Sequence, residues 1–183
     1  MTEFFDGTRR RFLQLGLTAA ACVAASPVLA MTPRLKGVRE LAFHNLHTDE
    51  RLRTVYWQDG VYSRSALAKI NHILRDYRSG ESHAMRPELM DLLYALQGRL
   101  DNRTTIEIVS GYRAPHTNAV MASHSSGVAR RSYHTQGMAV DIRLPGTSLP
   151  ELHKTALEMQ QGGVGYYPDS DFVHVDVGPV RRW

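Results

Sequence analysis

Two segments, Ser132-Tyr133-His134-Thr135-Gln136-Gly137-Met138-Ala139-Val140-Asp141 and Phe172-Val173-His174-Val175-Asp176, carry the residue types that chemistry needs. His134, Asp141 and His174 are the inventory of a three-ligand zinc site whose fourth position stays open for water. That combination points to metal-assisted hydrolysis. A strand starting near Met138 sets Asp141 inside a sheet, with His134 on the turn entering it and Gly137 tightening that turn. His174 falls mid-strand in a last hairpin. Imidazole and carboxylate suit zinc at roughly 2.0–2.2 Å, whereas magnesium and calcium favour an all-oxygen shell. The competing reading makes the two imidazoles hydrogen-bonded core histidines and Asp141 a strand-end carboxylate.

The elements that must position these residues follow from patterning. Arg39 to Leu46 and Leu52 to Trp57 alternate across the polar turn His47-Thr48-Asp49-Glu50, which predicts a hairpin closed by Asp59-Gly60. Ser63 opens a helix with Leu67, Ile70, Leu74 and Tyr77 on one face, ending at Ser79-Gly80. Pro87 starts a second, with Leu89, Leu92, Leu93 and Leu96 buried before Gly98. Thr105 to Val109 reads as a central strand running into Ser110-Gly111-Tyr112-Arg113, and residues 114 to 132 as a long, partly helical wall. Met138 to Leu144 is a second central strand. Ser148-Leu149-Pro150-Glu151 is a capping box for a helix ending at Gly162-Gly163, and Gly163 to Tyr167 and Phe172 to Val177 form the last hairpin about Pro168-Asp169-Ser170. This order predicts a single α+β domain, a mainly antiparallel sheet with flanking helices and a zinc cleft on the sheet.

The first thirty residues read as a leader. Arg9 and Arg10 precede an apolar run from Leu15 to Val23, and Val28-Leu29-Ala30 resembles a cleavage site, which predicts a twin-arginine signal peptide over 1–30 and a catalytic domain over 31–183. The alternative, a membrane anchor, is disfavoured because a spanning helix needs ~20 apolar residues. No stable membrane insertion is expected after cleavage. The single cysteine, Cys22, lies inside the leader, so any zinc must use histidine and carboxylate; Cys22 as a lipidation site lacks the usual preceding leucine. Of the 183 residues 43% are hydrophobic and 22% charged, ordinary globular material. The net charge of +4 falls to about +3 without residues 1–30, a mild excess that suits a polyanionic surrounding such as cell wall, while scattered Lys and Arg without interleaved aromatics do not argue for nucleic acid.

Ser110-Gly111-Tyr112-Arg113, Ser132-x-His134-x-x-Gly137-x-Ala139-x-Asp141 and His174-x-Asp176 together resemble the zinc D-Ala-D-Ala carboxypeptidase and murein endopeptidase superfamily, hedgehog-type domains included. The similarity is closest to the murein endopeptidase K branch of enterobacteria, through the paired arginines, Asn45-Leu46-His47-Thr48, Gly162-Gly163-Val164-Gly165-Tyr166-Tyr167-Pro168 and Trp183. The resemblance implies one zinc ion on His134, Asp141 and His174, and a periplasmic metallopeptidase exported by the twin-arginine machinery. It further implies that stem-peptide cross-links of peptidoglycan are cut between two diaminopimelate residues. Arg113 matches the arginine that holds the substrate carboxylate or the developing oxyanion.

Two acids compete for the role of general base. Asp171 stands three residues before His174, where many relatives carry an acid, and Asp176 shares the strand face of His174, from which it could act as a base or orient that imidazole. His116 and His124 are further candidates for polarising the carbonyl, Ser132 for buttressing His134, and Tyr133, Tyr166 and Tyr167 for packing round the cleft. The rival class is a zinc-stabilised wall-binding module without turnover. It gains ground if neither Asp171 nor Asp176 faces the open side of the ion.

Overall fold

A computed structural model describes residues 37–124 and 129–183. The expected leader with Cys22, and the tip of the 114–132 wall, lie outside the described residues. Strands β1 (Val38–Asn45), β2 (Arg51–Gln58) and β3 (Val61–Tyr62) come first. Helices α1 (Arg64–Ile73) and α2 (Pro87–Arg99), strand β4 (Ile106–Ser110) and helix α3 (Pro115–His124) follow. A 3-10 turn, Tyr133–Gln136, then leads into β5 (Ala139–Arg143), α4 (Leu149–Met159), β6 (Gly163–Tyr167), β7 (Phe172–Asp176) and β8 (Arg181–Arg182). The strands form one sheet in the order β3-β2-β1-β4-β5-β7-β6-β8. Only β1 with β4 and β6 with β8 pair in parallel, so the sheet is mainly antiparallel as expected.

The sheet separates packing from chemistry by strand alternation. Val140 and Ile142 of β5, with Val173 and Val175 of β7, belong to the apolar core together with Leu41, Phe43, Ile106 and Ile108. Helices α1, α2 and α4 lie against β2, β1 and the β6–β7 pair. The intervening residues Asp141, His174 and Asp176 therefore emerge together on the opposite face.

Helix boundaries depart from the periodicity at three places, each for a visible reason. The Ser63 hydroxyl caps α1 by accepting from the Ala66 amide at 3.3 Å, but the helix stops at Ile73 instead of running on to Tyr77. Its next backbone bonds would join the Arg75 amide to the Asn71 carbonyl and the Asp76 amide to the His72 carbonyl. Both amides are diverted: Arg75 donates to the His72 carbonyl at 3.2 Å, and Asp76 donates to the Glu81 carbonyl at 2.9 Å. Helix α2 instead continues through Gly98 to Arg99, because one interior glycine costs only ~1 kcal/mol and the Arg103 guanidinium packs where a Cβ would sit. Helix α4 starts on the Ser148 cap and ends at Met159, with Gln160 left-handed at φ 51°. Gly162 serves closeness: a side chain there would collide with the Asp176 carbonyl.

Candidate active site

Antiparallel register brings the central residues together. Asp141 pairs directly with His174 across β5 and β7, and Ser110 pairs with Asp141 across a bulge in β4. His134 arrives from the 3-10 turn, whose first amides are met by Ser132; its hydroxyl accepts from the His134 amide at 3.3 Å. The turn closes at Gly137, left-handed at φ 65° and backed so tightly by the Ala84 carbonyl that a Cβ has no room. The Arg113 amide donates to the His134 carbonyl at 3.2 Å, tying the loop after β4 to the same turn.

Three atoms converge. His134 Nε2 lies 3.2 Å from Asp141 Oδ1 and 3.1 Å from His174 Nδ1, and His174 Nδ1 lies 2.8 Å from Asp141 Oδ1. The outer partners fix the tautomers. His134 Nδ1 sits 2.7 Å from the Gly111 carbonyl and His174 Nε2 sits 3.0 Å from Asp176 Oδ2, so each outer nitrogen carries the proton it donates. That leaves the inner nitrogens, Nε2 of His134 and Nδ1 of His174, directed at each other and at a carboxylate oxygen, with a lone pair on each whenever its ring is neutral. Three lone pairs in one small triangle repel unless a cation lies between them. A tetrahedral ion bonded at about 2.0–2.1 Å wants its donors about 3.3 Å apart, so the triangle fits zinc with a slight expansion.

Electrostatics agree with this reading. Burial pushes the Asp141 carboxyl up, but the two histidines outweigh it and hold the group well below the usual carboxylate range. Burial lowers the His174 ring, yet Asp141 and Asp176 win and draw it toward its charged form. The cluster favours positive charge at its centre.

The structure brings Arg113 to this cluster. Its guanidinium is buried, with Nη2 3.9 Å from Asp141 Oδ2 and 3.4 Å from the Ser110 hydroxyl, and Nη1 3.3 Å from Asn118 Oδ1. Its Nε is buried with no partner among the described residues. A fork with long bonds and an unmet donor is poised for one more acceptor.

Both candidate acids have paired carboxylates. Asp176 is wholly buried and saturated: it accepts from the Gly163 amide at 3.1 Å, the Gly178 amide at 2.8 Å, both Arg181 Nη atoms at 3.0 and 2.6 Å, and His174. Against burial, His174, Arg181 and these amides keep it ionised, which is the setting of an orienting carboxylate. Asp171 lies outside β7, left-handed at φ 53°, exposed and paired with Arg143 at 3.1 Å. It is a solvated turn residue, its amide closing the turn on the Pro168 carbonyl at 3.1 Å. His116 is exposed beside Glu81, and His124 bonds within its own helix to the Val120 carbonyl, so neither joins the triangle.

Two contributors, Asp76 and Arg181, escaped the sequence reading, and a third, Trp183, entered it only through the resemblance. Asp76 hangs two loops from one carboxylate, Oδ1 on the Arg78 amide and Oδ2 on the Ala114 amide at 2.9 Å each. The signal was there: Asp followed by Ser79-Gly80 is an Asx-turn composition. Arg181 clamps Asp176. Trp183 lays its indole over Gly165, directly opposite His174 in the register, with ring centroids 5.2 Å apart and Nε1 donating to the Tyr167 hydroxyl at 2.7 Å.

The family profile described as peptidoglycan L,D-endopeptidase MepK matches residues 34–183. The peptidoglycan L,D-endopeptidase MepK of Escherichia coli K12 is 44% identical over 182 residues, 98% of either chain. The probable peptidoglycan L,D-endopeptidase MepK of Haemophilus influenzae is 39% identical over 183 residues, covering 99% of this chain and 98% of its own. No solved structure matches. A profile and full-length relatives that span the triangle and its supports leave one conclusion: the chain belongs to the peptidoglycan L,D-endopeptidase MepK family of murein endopeptidases.

Proposed function

We propose that the chain is an exported, zinc-dependent murein endopeptidase that hydrolyses peptide cross-links of peptidoglycan, between two diaminopimelate residues. The reading rests on the convergence of three lone pairs from His134, Asp141 and His174 in a member of this family. His134, Asp141 and His174 would hold a zinc ion, which when bound would supply a Lewis acid and a water with a pKa of ~7. Gly111 and Asp176 hold the two imidazoles in the tautomers that leave Nε2 of His134 and Nδ1 of His174 open. Arg113, with its unmet donor beside Asp141, takes the scissile carbonyl oxygen and stabilises the charge that grows on it. Asp176 orients and does not exchange the reaction's proton; Asp171 stays outside the chemistry.

Residues 1–30 serve as a twin-arginine leader and 31–183 as the catalytic domain in the periplasm. Among the described residues no helix is long and apolar enough to cross a membrane. The wall-binding module without turnover keeps one observation in its favour, the lack of an unpaired carboxylate from Asp171 or Asp176 at the triangle. Digestion of defined cross-linked muropeptides by the mature protein, read by mass with and without chelator, separates the two. Chelator-sensitive cleavage of the cross-link supports the peptidase. Retention of intact muropeptide with no product supports the module.

A further inference from the structure

The loop that follows α1 is bound to the loop that carries Arg113. The Asp76 carboxylate accepts from the amides of Arg78 and Ala114, and the Leu74 carbonyl accepts from the Tyr112 amide. Gly111 permits the approach, since a Cβ there would strike the Leu74 carbonyl. On this platform Tyr77 stacks on His47 with centroids 3.8 Å apart, and His47 Nε2 reaches the Val109 carbonyl at 2.9 Å, the residue before Ser110. The Arg78 guanidinium covers the other side of Tyr77, 4.2 Å from the ring centroid. It is exposed and, among the described residues, has no ion pair.

Arg78 and Arg113 thus stand on two loops joined through the Asp76 carboxylate. An exposed guanidinium stacked on an aromatic ring and without an ion pair among the described residues favours an anionic partner. The substrate class proposed above carries such an anion. In a cross-link between two diaminopimelates, the carbon bearing the leaving amine also bears a carboxylate, next to the bond that is cut.

We infer that Arg78 is a specificity-determining residue that binds this carboxylate from its Tyr77 platform, leaving Arg113 for the scissile carbonyl. The inference rests on the proposed cross-link. Its chemistry fits a guanidinium, which holds a carboxylate with charge-assisted bonds, and the Tyr77 stack limits the rotamer freedom lost on binding.

Two cross-linked diaminopimelate peptides test it, one with that carboxylate intact and one with it as carboxamide, cut by the wild-type protein, Arg78→Gln, Arg78→Lys and the distant surface control Arg64→Gln. The wild type and the control should prefer the acid, and Arg78→Gln should lose that preference by ~10-fold or more, mainly through KM, with Arg78→Lys between. Unchanged preference in Arg78→Gln, or equal loss on both peptides, overturns the assignment. Should the wild-type protein cut neither peptide, the proposed function fails separately, and calorimetric binding of the acid peptide decides this inference alone. Weakening by ~10-fold in Arg78→Gln then supports it, and equal affinity overturns it.

Discussion

Removing the Asp176 carboxylate would strand two groups at once, the Arg181 guanidinium and the outer nitrogen of His174. Asp176→Asn keeps the volume but can donate to His174 and so release its tautomer. Zinc affinity should fall ~10–100-fold, measured by competition with a chromogenic chelator, while the fold persists. The ligands behave differently: alanine at His134 or Asp141 should remove both metal and hydrolysis, and full zinc stoichiometry in the His134 variant would contradict the site. Arg113→Ala separates binding from turnover. It should keep zinc, as read by elemental analysis, and lose ~100–1,000-fold in kcat, the usual cost of an oxyanion donor.

Elements decide how those residues meet, and here the loop junction carries the load. Burial raises the Asp76 carboxyl, but Thr117 and the amides of Ala114, Arg78 and Ser79 outweigh it and hold the group below its ordinary value. A depressed native pKa means stability that is fully present above about pH 4 and is lost as pH falls through the native value. Asp76→Asn should therefore cost ~1–3 kcal/mol at pH 7 in urea unfolding, with the gap to wild type narrowing toward pH 3. Gly137→Ala should cost at least ~1–3 kcal/mol from its left-handed backbone, with the Ala84 carbonyl adding to it. Alternation in β5 and β7 was legible in the sequence, and so was the meeting of Asp141 with His174. The end of α1 was not, because the Glu81 carbonyl that takes the Asp76 amide comes from the following loop, where helical spacing gives no signal. Nor did spacing separate Asp171 from Asp176, since Arg143, Arg181 and the close approach at Gly163 that settle their surroundings come from other strands. The parallel pairing of β1 with β4 joins distant segments that no local pattern links, and β3 and β8 are two residues each, too short to show a period.

At the level of the whole molecule, metal and fold are linked by mass action. The triangle draws on β5, β7 and the 3-10 turn, so an ion that binds only the assembled site stabilises everything that builds it. Zinc at about a hundred times its dissociation constant contributes ~2.7 kcal/mol, or roughly 5–10 °C in the unfolding midpoint of a domain this size. Calorimetry should show that rise in the wild type and not in His134→Ala.

The indole seated above Gly165 gives the molecule an optical gauge of its own. Trp183 is half exposed and faces the ring of His174, whereas the other tryptophan, Trp57, is buried against Arg39 on a distant strand and contributes a steady background. Emission from Trp183 should change as cobalt or zinc is titrated in, and Trp183→Phe should silence the signal, so occupancy of the centre can be followed in solution without any added dye.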